Sequence, residues 1–122
     1  MSTLKKIINS LSQVAKQVRS LEAEATIALF ERNNKSQHHE LMVEKALLLL
    51  HMPETISELK VPMDQQIAKV LKNQLGAFSF SAGKALDLNS VFYMSALLYP
   101  EDYTDGMNND LENFIEFLEG NC

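Results

Sequence analysis

Breakers and cross-linkers are scarce in this chain: one cysteine, three prolines, four glycines and no tryptophan in 122 residues. The single thiol, Cys122, has no partner for an internal bridge, which excludes a disulfide framework and fits a reducing compartment. Its place as the last residue does not match prenylation, which needs cysteine fourth from the end, so an exposed thiol without a role is expected. Long hydrophobic runs are missing too. The richest stretch, Ala46 to Leu50, falls far short of the ~20 apolar residues that span a bilayer. Lys5 and Lys6 are followed by no apolar run and no small-residue cleavage site, so no secretory signal is expected and a cytoplasmic location is.

Charge is absent selectively. From Ser2 to Leu21 there is no acid, only Lys5, Lys6, Lys16 and Arg19. From Glu101 to Cys122 there is no base, only Glu101, Asp102, Asp105, Asp110, Glu112, Glu116 and Glu119. The net charge of −5 argues against nucleic acid as the default partner, because phosphate binding needs a basic footprint. No helix-turn-helix signature or aromatic platform accompanies the basic start. Those cations are expected on a solvated face, or paired with the acidic last helix. The acidic tail suits a basic protein surface, which it would attract at long range.

What is abundant is helical periodicity. Leu4, Ile7, Leu11, Val14, Val18, Leu21, Ala25 and Ala28 alternate steps of three and four, one stripe of a long helix capped near Ser2 or Thr3 and ending at Asn33 and Asn34. Ile8, Ala15 and Leu29 widen the stripe beyond a two-stranded coil, which points to the core of a bundle. Leu4, Ile7, Leu11, Val14, Val18 and Leu21 also make a candidate seam for a homodimer. A second helix is expected from Ser36 to Met52, halted by Pro53, with a short turn to Leu59 after it. A third runs from Pro62 and Asp64 to Gly76, burying Ile67, Val70, Leu71 and Leu75. Ala77 to Leu88, where Phe78 and Phe80 alternate with serines, reads as a loop. Asn89 or Ser90 opens a fourth helix to Leu98 before Pro100. Asn109, followed three residues later by Glu112, is a capping pattern opening a fifth to Gly120. The fold class predicted is all-α, one bundle of about five helices over residues 1–122 with a long N-terminal helix.

Motifs for chemistry are incomplete. His38, His39, Glu40, Glu44 and His51 are the only clustered metal-ligand types, but Glu-x-x-His and His-Glu-x-x-His are both missing. The loop from Glu101 to Glu112 has Gly106 and Glu112 where a calcium loop would, yet Tyr103 and Asn108 replace required types. Gly83-Lys84 lacks the leading glycine of a phosphate loop, and Ser81 to Lys84 lacks the companions of a Ser-x-x-Lys nucleophile. Neither a metal nor a cofactor is expected.

Recognition is the remaining chemistry. Tyr99, Glu101, Asp102, Tyr103, Asp105 and Asp110 gather around one loop, where tyrosines offer contact area and carboxylates steer cations. The reading that follows is a non-enzymatic protein-binding module. Its more specific form is an inhibitor or immunity-type protein that masks a basic partner, such as a nuclease-like toxin, with its acidic last third. An adaptor or secretion-chaperone-like protein is the nearest alternative. A regulator touching nucleic acid through the basic start, and an enzyme built in the bundle interior, are the contrasting ones.

Overall fold

Five helices account for the order of the chain in the computed structural model, which describes residues 3–57 and 65–121. They are α1 (Thr3–Phe30), α2 (Lys35–Ser57), α3 (Gln65–Asp87), α4 (Val91–Ala96) and α5 (Asp110–Glu119), and no strand occurs among the described residues. The expectations placed on Ser2, Leu59, Pro62, Asp64 and Cys122 lie outside them.

The stripe of α1 is the spine of the core. Leu4, Ile7, Leu11, Val14, Val18, Ala25 and Ala28 are all buried within the one chain, and only Leu21 is half-buried. Helix α1, which carries the candidate dimer seam, packs against α2 and α5 of the same chain, with Val14 and Leu21 lining an open apolar depression between α1 and α2. At 28 residues, α1 is about 42 Å long, and its last turn leaves Phe30 77% exposed. Asn33 then takes a left-handed conformation (φ 50°), which asparagine adopts more readily than most residues.

Two expected breaks do not occur. Pro53 lies inside α2, which begins at Lys35 with Asn34 as its cap (Gln37 N donates to Asn34 Oδ1 at 3.0 Å), not at Ser36. Proline removes one ladder amide, but packing carries the helix through. Met52 and Ile56 are buried on either side of it, and the Ser79 hydroxyl of α3 donates to the Leu50 carbonyl at 2.7 Å.

The second correction concerns Ala77 to Leu88, which is helix to Asp87 and not a loop. Leu71, Leu75, Phe78, Ala82 and Ala85 form one buried stripe, spaced four, three, four, three, and that continuous face outweighs the local Phe-Ser alternation. Gly76 sits mid-helix, exposed. Val70 on the outer side is 39% exposed, and Ile67 is half-buried.

Chain reversals make α1, α2 and α3 antiparallel neighbours. Glu22 meets Lys45 across α1 and α2, while Leu50 meets Ser79 across α2 and α3. Helix α5 runs back along α1, where Arg19 meets Glu112, and Phe78 of α3 packs edge-on against Phe114 with ring centroids 6.4 Å apart. Ser90 caps α4 by accepting from Tyr93 N, and the Asn109 and Glu112 capping box opens α5 as the sequence indicates. Helix α4 is shorter than expected, ending at Ala96, because the chain turns sharply at Leu98 (φ 76°). Leu98 is buried, and its carbonyl accepts from Asp110 N at 2.9 Å. Burial and pairing hold a left-handed leucine that would be strained in isolation.

Candidate functional site

The Leu98 turn directs Tyr99 back toward α1, and a polar cluster assembles around its ring. Tyr99 donates its hydroxyl hydrogen to Glu22 Oε1 at 2.5 Å and accepts from Arg19 Nη1 at 3.1 Å. The Lys45 ammonium lies 5.1 Å from the Tyr99 ring centre, the Arg19 guanidinium carbon 5.7 Å. Lys45 has no solvent exposure; it pairs with Glu22 Oε2 at 2.9 Å and donates to the Ser95 carbonyl at 3.1 Å. Burial pulls its pKa below the usual lysine range, and the attraction to Glu22 only partly offsets this. Burial and the bond to Glu22 push the Tyr99 phenol up. Both shifts have the signs that desolvation imposes on a base and an acid.

Arg19 closes the cluster on the other side. Its Nε and Nη2 reach Glu112 Oε2 and Oε1 at 3.1 and 2.7 Å, and Nη2 also donates to the Met107 carbonyl at 3.2 Å. Glu112 Oε1 accepts from Asn109 N at 2.9 Å as well, so one carboxylate both caps α5 and ties it to α1. The Arg19 guanidinium, aided by the Asn109 amide, holds the Glu112 carboxyl below the usual carboxylate range. Bidentate, charge-assisted bonds of this kind fix geometry as well as adding energy. The basic start thus pairs with the acidic last helix inside one chain through Arg19, while Lys5, Lys6 and Lys16 remain exposed.

The six residues expected around the loop separate into two roles. Tyr99 and Tyr103 are half-buried and meet edge to face at 4.6 Å, and the Tyr103 hydroxyl donates to the Met107 carbonyl at 2.9 Å. They brace the loop from within. Glu101, Asp102 and Asp105 are exposed, and no lysine or arginine among the described residues pairs with them. Asp110 is half-buried at the start of α5, and burial together with the Asp102 charge raises its pKa.

Two depressions flank Tyr99. One, of about 350 Å³, is the more polar of the two and is lined by Arg19, Glu22, His38, Tyr103 and Asp105 among others. The other, of about 460 Å³, is largely apolar and lies between α3 and the corner joining α4 to α5. In the polar one, Arg19, Glu22 and Tyr99 are engaged with one another or with Glu112 and Lys45, an arrangement that braces the scaffold. His39 bonds Asn89 Oδ1 at 3.0 Å, and His51 lies 3.7 Å from exposed Glu54. Among the described residues, no three His, Cys, Asp or Glu side chains converge as metal ligands would. Ser81 and Lys84 are both exposed on α3, with the Lys84 ammonium 5.5 Å from the Phe80 ring centre.

Sequence reasoning missed Glu22, Lys45 and Asn109 as parts of this face. Lys45 carried a readable signal, since Met42, Lys45, Ala46, Leu49, Met52 and Ile56 form the buried face of α2. A lysine on such a stripe requires a buried anion. Its partner, Glu22, stands beside the α1 stripe and had no comparable mark. No helix of the described residues is long and apolar enough to cross a membrane. No family model matches the chain, and neither a curated protein nor a solved structure is detectably similar to it.

Proposed function

We propose that this chain is a non-enzymatic protein-binding module whose acidic loop docks on a basic partner protein. The observation that carries this reading is the division of charge around Tyr99. Arg19, Glu22, Lys45 and Glu112 neutralise one another in pairs, Lys45 fully buried and the others half-buried, while Glu101, Asp102 and Asp105 stand exposed with no paired cation among the described residues. A rigid base with unpaired carboxylates on top speeds encounter with a basic surface and orients it. An inhibitor or immunity-type protein that covers a cationic active surface, such as that of a nuclease-like toxin, is the most specific form of this role.

The test is affinity capture from the native source, with a bound protein identified by mass spectrometry and its affinity remeasured with purified components. The paired change Asp102→Lys and Asp105→Lys should abolish capture. Changing Lys5 and Lys6 to alanine should leave it intact, and affinity should fall with added salt. Capture unaffected by the loop changes refutes the reading. Salt-sensitive nucleic-acid binding lost with Lys5 and Lys6 would support the contrasting regulator instead.

A further inference from the structure

Helix α3 carries a second stripe. Its buried side holds the core, but Phe80 and Lys84 lie one turn apart on the outside, and Leu88, one residue past the end of the helix, continues their spacing, with Phe80 69% and Leu88 60% exposed. Tyr93, 53% exposed, stands across from it and meets the ring of Phe92, 73% exposed, edge to face at 5.5 Å. Between them runs the apolar depression of about 460 Å³, walled by Phe80, Leu88, Tyr93, Leu97 and Leu98. Neighbouring large apolar side chains exposed together in this way mark interaction surfaces more often than solvated ones.

The groove has a charged end that limits what can occupy it. Asp110 lines it, and its backbone amide donates to the Leu98 carbonyl, which fixes the main chain there. Among the described residues, no lysine or arginine pairs with the Asp110 carboxylate, and Asp102 adds negative charge nearby. The groove's own cation, Lys84, sits over the Phe80 ring. An occupant must therefore bring apolar side chains and one cation. Phe80 and Lys84 on the last turns of α3, with Leu88 just past its end, make a row of about 12 Å, which matches an occupant helix showing apolar residues at i, i+4 and i+7 or i+8.

We propose that this groove seats an amphipathic helix of the partner protein, with apolar side chains between Phe80, Leu88 and Tyr93 and a lysine or arginine on Asp110. The proposal rests on the reading of the acidic loop as a partner-binding face. It adds a division of labour, in which Glu101, Asp102 and Asp105 govern the approach and the groove governs residence.

The test uses the full chain, labelled with nitrogen-15, and a defined probe. This is a capped 16-residue helical peptide of alanine and glutamine, with leucines at i, i+4 and i+7 and one arginine beside them. Two control peptides scramble the leucines off one face or replace the arginine with glutamate. Amide shifts should centre on residues 80–98 and on Asp110. The scrambled peptide should be silent, and the glutamate peptide about tenfold weaker. Leu88→Ser at an exposed position and Asp110→Asn at a half-buried one should each weaken the arginine peptide by a similar factor. A circular dichroism spectrum identical to that of the unchanged chain would show that each variant folds.

Several results overturn the proposal: shifts confined to residues 101–105 and equal for the scrambled peptide, shifts between α1 and α2, or no shifts at all. Shifts at the groove on raising the protein concentration without peptide would assign it to a second copy and overturn it as well. Capture of the native partner that is lost with the Asp102 and Asp105 changes but indifferent to Leu88→Ser overturns the groove and leaves the acidic face standing. Peptide binding at the groove with capture indifferent to the acidic loop removes the earlier reading alone.

Discussion

Replacing Lys45 with methionine tests whether the buried charges around Tyr99 work as a set. The ammonium has no solvent exposure, and Glu22 keeps 18% of its side-chain surface. At 2.9 Å and an effective dielectric near 20, the pair attracts by about 6 kcal/mol before desolvation. Its net worth is much smaller, since burial pulls the lysine pKa down in spite of the carboxylate. Methionine fills a similar volume but leaves Glu22 facing an apolar neighbour and the Ser95 carbonyl without its donor. Deleting one member of a fully buried pair costs about 3–5 kcal/mol. Glu22 retains some water, so the expected loss is about 2–3 kcal/mol. Adding Glu22→Gln removes the orphaned charge and keeps an oxygen for the Tyr99 hydroxyl. The double variant should return to within about 1 kcal/mol of the unchanged chain, well short of the sum of the two single losses, since Glu22→Gln alone leaves the buried Lys45 ammonium without its counter-charge. Urea unfolding at pH 7, followed by circular dichroism with an unchanged m-value, reads all three. A Lys45→Met chain as stable as the original, or strictly additive losses, would refute the reasoning.

Other consequences are more local. Asn109→Ala removes the side-chain half of the α5 capping box and should cost about 1–2 kcal/mol in the same urea assay. Gly76→Ala should stabilise by about 0.5–1 kcal/mol, because an added methyl meets nothing within 4 Å in mid-helix. A loss there would mean that the helix ends at Gly76 after all. For pH, the folded Glu112 carboxyl lies below its ordinary value of 4.5. Its stabilisation is therefore complete above about pH 4.5 and is lost as pH falls through the folded value. Unfolding midpoints measured downward from pH 6 should show this loss, and Glu112→Gln should remove that part of it. Asp110 contributes with the opposite sign, its contribution complete below its ordinary 3.8 and lost as pH rises through the higher folded value.

The sequence made the bundle readable because burial repeats with the helical period. The α1 stripe, the Ser90 cap and the Asn109–Glu112 box are each decided within a few residues. Local rules failed where tertiary packing prevailed. Pro53 is carried by Met52, Ile56 and the Ser79 bond, and the Phe-Ser alternation after Gly76 yields to the continuous stripe ending at Ala85. At the candidate site, the loop acids were legible as unpaired charge. The roles of Tyr99 and Tyr103 were not, since their partners lie at Glu22 and Met107. The contact from Tyr99 to Glu22 crosses 77 residues of chain, which no local window contains. The outer stripe of Phe80, Lys84 and Leu88 was hidden for the same reason that the segment was read as a loop.

Zero-length carbodiimide cross-linking of the chain to its captured partner addresses the central claim most directly, because it joins carboxylates to lysine amines only at contact. The account predicts that mass spectrometry will find the cross-links at Glu101, Asp102 and Asp105, each joined to a partner lysine. Cross-links that bypass these three and gather on acids elsewhere, such as Glu24, Glu40 or Glu44, would contradict it.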